Sequence, residues 1–401
     1  MSEKLLKILF AFVILISLFS KFFDNIFETY IFGFLDELLL MFSVFMIMMQ
    51  LFIRTTFNKF SWQLLLGLFV LLAISVLSKY FTKESIIQVF IHLKLFFYFL
   101  VLKMLFFNDN KLLRVTFFGF IIITFLGLFS NLILYDYFNT FFEIPIKYRF
   151  DLLRMNGVQL SANNLGISFL IMYLYFVFSS NKKGFLMVSV ISFVFICLCL
   201  LSGTRTALLI VPFVYIVLLK DKYSGVIKYI GLFSIFLVVF SVMIILRDTE
   251  IIQKTITNIT DINNDSMYAR GIILFNSLKL ASMHFPIGSG AATFGSTLSV
   301  NSPVYSQLGI NFSGFDKAGM TAIFDSNFAS ILAEFGVIGI LVFSFLLYKM
   351  YKSINNNSSY YLLVLLSVII FSFTNPTIMN GFQALLFALA LNLNPNNLAS
   401  K

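Results

Sequence analysis

Two arginines and one aspartate of this chain lie beside long apolar runs. Arg205 stands in a tight polar turn, Arg270 opens an amphipathic segment, and Asp325 precedes a later apolar run. Charged groups at membrane depth usually face the protein interior and serve a site, because exposing them to lipid is costly. Guanidinium groups bind phosphate oxygens through a planar fork, and a neighbouring carboxylate can orient or deprotonate an attacking hydroxyl. We therefore predict a catalytic site made of Arg205, Arg270 and Asp325 that acts on an anionic, phosphorylated ligand.

Polar residues in the same connecting segments extend this predicted site to substrate binding. One of them lies in the turn-rich stretch Pro286–Gly290, where the backbone can approach a ligand closely. No group of Cys and His residues has the spacing of metal ligands, so the sequence predicts neither a metal nor a cofactor. The predicted substrate-binding residues are Arg154, Asn163, Asn164, Ser289 and Asn327.

Several charged residues have a structural interpretation beside a functional one. Arg205 alone is equally typical of an interfacial side chain that reaches the lipid headgroups. Asp36 and Glu37 either cap the outer end of the second apolar run or contribute to the site. For His92 and Lys94 a polar contact between helices is the better interpretation.

Near the end of the chain, two further polar positions favour structure over chemistry. Glu334 predicts an internal hydrogen bond. The stretch from Asn375 to Gly381, which contains Asn375-Pro376 and Asn380-Gly381, predicts an outer turn between two apolar runs.

The elements that must position these residues are long apolar helices. The chain is 60% hydrophobic and only 11% charged, with a mean hydropathy of +0.96, whereas soluble domains are about 25% charged. Long continuous runs exclude a barrel, which requires alternation. The fold prediction is an all-α, polytopic membrane protein with about twelve spans. The predicted spans are roughly 5–20, 31–53, 62–78, 86–107, 113–134, 163–180, 184–201, 206–219, 226–246, 329–348, 359–374 and 378–392.

The net charge of +10 predicts orientation rather than nucleic-acid binding. Lys and Arg concentrate in alternate short loops, which the positive-inside rule assigns to the cytoplasm together with both termini. The first apolar run is predicted to be a retained helix rather than a signal peptide, because many spans follow it. Residues 1–401 then form a single membrane domain, and 247–328 form a long external loop between spans 9 and 10. A loop of that length is usually functional.

Four stretches occur in an order that resembles a known family. The first contains Asn163-Asn164 within residues 157–166, with Ala162 where proline is common. The second is the turn Ser202–Ala207 around Arg205. The third is Arg270 followed by an apolar helix and Pro286–Gly290. The fourth is Asp325-Ser326-Asn327-Phe328, followed by residues 332–339.

This order is similar to the O-antigen polymerase and ligase superfamily of bacterial membrane glycosyltransferases, and most like its Wzy-type polysaccharide polymerases. The likeness covers roughly residues 150–350 and the overall topology. It implies a metal-independent enzyme of the inner (plasma) membrane, with its active site on the periplasmic face. Arg205 and Arg270 would hold the pyrophosphate, and Asp325 would handle the acceptor hydroxyl. The resemblance does not settle whether Asp325 acts as a base or only orients that hydroxyl.

The resemblance implies transfer of glycan from undecaprenyl pyrophosphate to a sugar hydroxyl of another lipid-linked repeat unit, for O-antigen or capsule. Its implied partners are that lipid-linked oligosaccharide, membrane lipid and a chain-length regulator protein. One alternative is a ligase that transfers the glycan to lipid A core, but such ligases typically carry His where Asp325 stands. Another alternative is a flippase for lipid-linked oligosaccharides, which should instead line a central cavity with charge.

Overall fold

A computed structural model describes most of the chain. The described ranges are residues 3–53, 59–106, 110–144, 148–149, 152–179, 185–222, 260–262, 269–296, 298–310, 326–354 and 359–395. Within them the fold is helical, apart from a two-stranded antiparallel hairpin in which Tyr148 pairs with Leu153 and Arg149 with Leu152. This confirms the predicted all-helical class in its essentials.

The first half of the helical architecture covers residues 3–178. Its helices are α1 (Glu3–Leu18), α2 (Ser20–Ile26), α3 (Leu35–Ile53), α4 (Lys59–Leu77), α5 (Lys83–His92), α6 (Lys94–Phe106), α7 (Asn110–Ile133), α8 (Tyr135–Phe141) and α9 (Ala162–Phe178). The strands β1 (Tyr148–Arg149) and β2 (Leu152–Leu153) lie between α8 and α9, and short 3-10 turns cover Phe32–Phe34 and Gly157–Gln159.

The second half contains the remaining helices. They are α10 (Phe185–Ser202), α11 (Arg205–Leu208), α12 (Ile210–Lys222), α13 (Ala269–Met283), α14 (Pro303–Gln307), α15 (Asn327–Ser353), α16 (Ser359–Thr374) and α17 (Gly381–Asn392). Each predicted span in the described part has a helix at its place, and the predicted span 226–246 lies outside the described residues.

Four of the described helices are long and apolar enough to cross a membrane, and up to six spans result if each of two bent helix pairs counts as one. The bent pairs are α1 with α2, at 73°, and α5 with α6, at 55°. Five further apolar helices are shorter; at about 1.5 Å per residue they do not reach across a hydrocarbon core of about 30 Å. The structure thus supports a membrane protein, while the number twelve stays a prediction.

The core of the described bundle is built around α6 and α17, which pack against each other. Almost every side chain of both helices is buried, and α16 is tied to α17 by Tyr360, whose hydroxyl donates to the Ala390 carbonyl at 3.1 Å. On α4, α7 and α10, by contrast, large apolar side chains such as Phe69, Phe129 and Phe193 are more than 60% exposed. Apolar side chains in these positions are suited to lipid contact.

A break in α15 brings the Pro286–Gly290 stretch into the bundle. Gly336 has φ 61° and ψ −153°, which is not helical, and it permits a backbone approach in which a Cβ on Gly288 would lie 2.5 Å from the Gly336 nitrogen. The amides of Ser289 and Gly290 donate to the carbonyls of Ala333 and Glu334 at 2.9 and 2.7 Å. The loop after α13 is therefore fixed on the first turns of α15.

Candidate active site

The candidate site forms around the end of α16, at Thr374 and Asn375. Arg270, in the first turn of α13, donates through its Nη2 to the Thr374 carbonyl at 3.1 Å. The Thr374 hydroxyl lies 3.4 Å from the hydroxyl of Thr206. The Asn375 amide donates to the same Thr374 hydroxyl at 3.1 Å. Two segments that are distant in sequence therefore meet at one turn, and each carries a predicted arginine.

Arg205 opens the short helix α11, directly before Thr206. Its placement depends on a tight turn, in which Gly203 has φ 66° and the hydroxyls of Ser202 and Thr204 lie 2.7 Å apart. Gly166 of α9 lets Thr204 approach closely, because any Cβ there would overlap the Thr204 side chain. The polar turn in the sequence is thus a packed corner between α9, α10 and α11, with Arg205 partly exposed beside it.

Arg154 joins this arrangement from the segment before α9. Its Nη2 donates to the Asn163 Oδ1 at 2.9 Å and its Nε donates to the Ser202 carbonyl at 3.1 Å. Asn163 in turn donates to the Asn375 Oδ1 at 3.2 Å. Burial lowers the pKa of Arg154, but a guanidinium is not deprotonated in proteins at neutral pH. The site therefore keeps a positive charge that is held by neutral oxygens.

Asn327 lies at the same turn. Its backbone amide donates to the Asn375 carbonyl at 3.2 Å, and its side chain is completely buried. Neither Oδ1 nor Nδ2 of that side chain has a hydrogen-bond partner in the described part of the chain. An amide left unpaired in this way is costly, so a ligand with hydrogen-bonding groups would stabilise it.

The predicted catalytic Asp325 lies outside the described residues, and its role remains a prediction. The next residue, Ser326, caps α15 by accepting from the Ala329 amide at 3.2 Å. The Ser326 hydroxyl also lies 3.5 Å from the Ser372 carbonyl near the end of α16.

Asn164 and Ser289 are placed away from the arginines. Asn164 accepts from the Gln383 Nε2 at 2.9 Å on the opposite side of the first turn of α9. Ser289 is 1% exposed, and its hydroxyl contacts the Thr293 hydroxyl at 2.6 Å and donates to the Ala333 carbonyl at 3.0 Å. The structure brings together Arg154, Asn163, Arg270, Asn327 and the turn that carries Arg205, and it does not bring these two residues to them.

Sequence reasoning missed the residues that join these segments, namely Thr374, Asn375 and Thr206. The stretch after α16 was predicted as a structural turn, yet it is the point where three segments carrying arginines meet. The signal was available in the sequence: Thr374-Asn375-Pro376 is a polar turn between two apolar runs, the same pattern that singled out Arg205.

An apolar groove leaves the site between α15 and α16. It has a volume of about 480 Å³, and its upper end is formed by Asn327 and the stacked rings of Phe328 and Phe373, whose centroids are 4.4 Å apart. Further along, Phe343 and Tyr351 line it. One end of the groove is thus lined by Asn327 and by Phe373, the residue before Thr374, and the groove could hold an alkyl or prenyl chain.

The predicted charged contacts outside the site are also present. His92 Nε2 lies 2.7 Å from Glu334 Oε2, with both side chains fully buried, which confirms the helix contact and the internal hydrogen bond. Lys94 Nζ lies 2.7 Å from Asp36 Oδ2. Among the residues that the structure describes, no group of three His, Cys, Asp or Glu side chains could hold a metal ion.

Comparison with known proteins adds a family match. A family model described as O-Antigen ligase matches residues 189–344, a segment that contains Arg205, Arg270 and Asp325 and covers less than half of the chain. No curated protein matches the chain. The matched residues include Arg205 and Arg270, whereas Arg154, Asn163 and the Thr374-Asn375 turn lie outside them. It supports assignment of this membrane protein to the O-antigen ligase and polymerase superfamily, whose members are glycosyltransferase-like enzymes acting on lipid-linked oligosaccharides.

Proposed function

We propose that this protein polymerises lipid-linked oligosaccharide repeat units, in the synthesis of O-antigen or capsule. It transfers glycan from undecaprenyl pyrophosphate to a sugar hydroxyl of another lipid-linked repeat. The observation that carries the proposal is the convergence of Arg154, Arg270 and the Arg205 turn on Thr374-Asn375, where an apolar groove begins. Guanidinium groups near an apolar groove suit a ligand with a pyrophosphate head and a hydrocarbon tail.

In this proposal Arg205 and Arg270 hold the pyrophosphate and stabilise the charge that develops on it as it leaves. The acceptor hydroxyl oxygen forms a bond to the anomeric carbon. The bond from that carbon to the pyrophosphate oxygen breaks, and its electron pair stays on the pyrophosphate. Asp325 orients the hydroxyl or accepts its proton. Direct displacement inverts the anomeric carbon, and no metal ion takes part.

The groove between α15 and α16 would hold the first isoprene units of the carrier, with Phe328 and Phe373 at its entrance. An aspartate rather than a histidine at position 325 favours a polymerase, since the ligases that the chain resembles typically carry His there. A chain-length regulator protein would act on the polymerase from outside the site.

The test is the length distribution of surface polysaccharide in a deletion strain that expresses either the wild type or Arg270→Ala. We expect single repeat units on the cell anchor in the deletion strain, long chains with the wild type, and single units again with Arg270→Ala. Long chains that accumulate on the lipid carrier but are absent from the anchor would identify a ligase instead. Unchanged polysaccharide in the deletion strain would overturn both assignments.

The proposed sidedness, with the site on the periplasmic face and both termini in the cytoplasm, has its own test. Ser306 lies in the long loop and is exposed, and Lys111 is exposed at the start of α7. In a background without Cys197 and Cys199, we expect a membrane-impermeant thiol reagent to label Ser306→Cys in intact spheroplasts and to leave Lys111→Cys unlabelled. The opposite pattern would place the site on the cytoplasmic face.

A further inference from the structure

A second polar cavity lies behind the arginine site, on the other side of the first turn of α9. It has a volume of about 210 Å³ and is bordered by Asp36, Gln159, Asn164 and Asn380, with Phe19 and Phe382 beside them. Exposed Lys21 and two serines, Ser17 and Ser20, are the other polar residues of the lining. A cavity of this size has room for a single sugar ring.

Asp36 is held in this cavity by a buried cation. Lys94 is 3% exposed, and its Nζ donates to Asp36 Oδ2 at 2.7 Å. The Tyr98 hydroxyl donates to the Asp36 carbonyl at 2.6 Å. Gly381 lets the carboxylate reach the start of α17, because any Cβ at that position would overlap Asp36. Lys94 is buried and the Asp36 side chain is 20% exposed, so these contacts fix the direction in which a partly exposed carboxylate accepts further hydrogen bonds.

One amide oxygen in the cavity, the Oε1 of Gln159, lacks a hydrogen-bond donor in the described part of the chain. Gln159 is 3% exposed and donates through Nε2 to the Thr124 hydroxyl at 2.9 Å. Its Oε1 has no hydrogen-bond partner within the described ranges. Asn380 caps α17 by accepting from the Gln383 amide at 3.1 Å. A hydroxyl-bearing ligand would supply the missing donor to Gln159.

The lining combines a carboxylate and amides with the apolar rings of Phe19 and Phe382. Carboxylates accept hydrogen bonds from neutral hydroxyls, and amides both accept from them and donate to them. Aromatic rings pack on an apolar CH surface. A sugar ring presents both kinds of surface. The Asp36 carboxylate is paired with Lys94, and no arginine is among the described residues that line the cavity, so the cavity differs chemically from the arginine site.

The cavity and the arginine site share two structural elements. The first element is the first turn of α9, where Asn163 contacts Arg154 and Asn375 at the arginine site. The next residue, Asn164, lines the cavity and contacts Gln383. The turn from Asn375 to Asn380 borders both, and the Asn380 amide donates to the Pro376 carbonyl within it at 2.7 Å. A glycan attached to a pyrophosphate at the arginines would therefore start next to this cavity.

We propose that this cavity binds one sugar ring of the lipid-linked glycan. The inference rests on the proposed function, since it assumes that a glycan-bearing pyrophosphate occupies the arginine site. Asp36, fixed by Lys94, and Gln159 select the ring through its hydroxyls. Specificity for the repeat unit then resides in α1, α3 and the segment before α9, outside the residues that match the family model.

Binding to the purified full-length protein in lipid nanodiscs tests this inference. The probes are undecaprenyl pyrophosphate and the lipid-linked oligosaccharide extracted from a deletion strain. We expect Gln159→Leu and Asp36→Asn to weaken oligosaccharide binding by about tenfold each, as the loss of one buried hydrogen bond predicts, and to leave undecaprenyl pyrophosphate binding unchanged.

The matched control is Gln88→Leu, because Gln88 is equally buried and lies outside the cavity. It should bind both probes as the wild type does. Oligosaccharide binding by Gln159→Leu within about twofold of Gln88→Leu would overturn the sugar site. Arg270→Ala separates this outcome from failure of the proposed function, since it should weaken binding of both probes. If Arg270→Ala binds both normally, the proposed pyrophosphate site is wrong whatever the cavity variants do.

Discussion

Two polar regions of the bundle, one around Glu334 and one around Thr374-Asn375, are built on opposite principles. Glu334 is fully buried, and its two oxygens contact His92, the amides of Thr293 and Phe294, and the Ser296 hydroxyl at 2.5–3.2 Å. Every strong acceptor position is occupied by the protein itself. Such a network fixes the loop after α13 and leaves little capacity for a ligand.

At Thr374-Asn375 the contacts seen for Arg154 and the hydrogen bond from Arg270 to Thr374 instead go to neutral groups. Arg154 donates to an amide oxygen and a carbonyl, and Arg270 donates to a carbonyl. Neutral acceptors orient a guanidinium without cancelling its charge, so an anionic ligand still gains from it. The buried Asn327 amide beside them has no partner in the described residues. The comparison teaches that a carboxylate whose oxygens are occupied by protein donors is structural, although the His92 Nδ1 beside it has no partner in the described residues. A guanidinium on neutral acceptors beside an unpaired amide is instead suited to binding.

The largest effect that this comparison predicts is on turnover, in Arg270→Lys and Arg205→Lys. Each keeps the positive charge and loses the planar fork, so transfer should fall by about 10²–10³-fold. The measurement is chain formation from extracted lipid-linked repeats, normalised to the amount of protein in the membrane. Lys279→Ala is the control, because Lys279 is exposed on the same helix as Arg270. Normal activity of either Lys variant would remove that arginine from the site.

The second prediction concerns the carboxylate that sequence order assigns to the arginine site. Asp325→Asn keeps the size of the side chain and removes a base or a charged orienting group, so we expect turnover to fall by about 10²-fold or more. Membrane levels and thermal stability should stay those of the wild type. A matched variant is Asp261→Asn, on a residue of the same long loop, which should retain activity. Loss of stability in Asp325→Asn would assign it to the structural class of Glu334.

The third prediction concerns Glu334, where we expect a loss of stability rather than a loss of turnover in a stable protein. Glu334→Ala leaves His92 and two backbone amides without their buried acceptor, and breaking a buried network of this kind costs about 3–5 kcal/mol of folding free energy. We expect low membrane levels and a lower midpoint of thermal unfolding for this variant, and a smaller loss for Glu334→Gln. Arg270→Ala should leave the midpoint unchanged. A stable but inactive Glu334→Ala protein would mean that Glu334 acts in catalysis, and it would contradict the structural role assigned to this network.

The sequence predicted the helices well, because apolar runs bounded by polar turns report helix positions directly. It also singled out Arg205, Arg270, Arg154 and Asn163, since charge beside a membrane span is rare and therefore informative. The structure places them around one turn, and their roles stay predictions. The family match at 189–344 supports the superfamily that the order of motifs resembled.

What the sequence did not predict is which side of a helix each polar residue faces. Asn163 and Asn164 are adjacent, yet one contacts Arg154 and the other contacts Gln383, because successive residues on a helix point about 100° apart. Ser289 lies in a flexible-looking glycine-rich stretch that is buried through pairing with Ala333. Long-range contacts decide both outcomes, and a single sequence contains no record of them.

The smallest predicted effect is that of Arg154→Lys, and it tests whether Arg154 contacts the pyrophosphate or only positions other residues of the site. Arg154 bridges Asn163 and the Ser202 carbonyl, so it positions α9 against the Arg205 turn as well as supplying charge. A lysine retains the charge but makes a single-point contact, and we expect turnover to fall by about tenfold, with the KM for lipid-linked substrate rising more than kcat falls. Asn163→Ala should reproduce part of this loss, because it removes the acceptor that orients the guanidinium. If Arg154→Lys and Asn163→Ala reduce turnover by the full factor seen for Arg270→Lys, then Arg154 contacts the reacting pyrophosphate itself, and the site extends from α13 across Asn375 to the segment before α9.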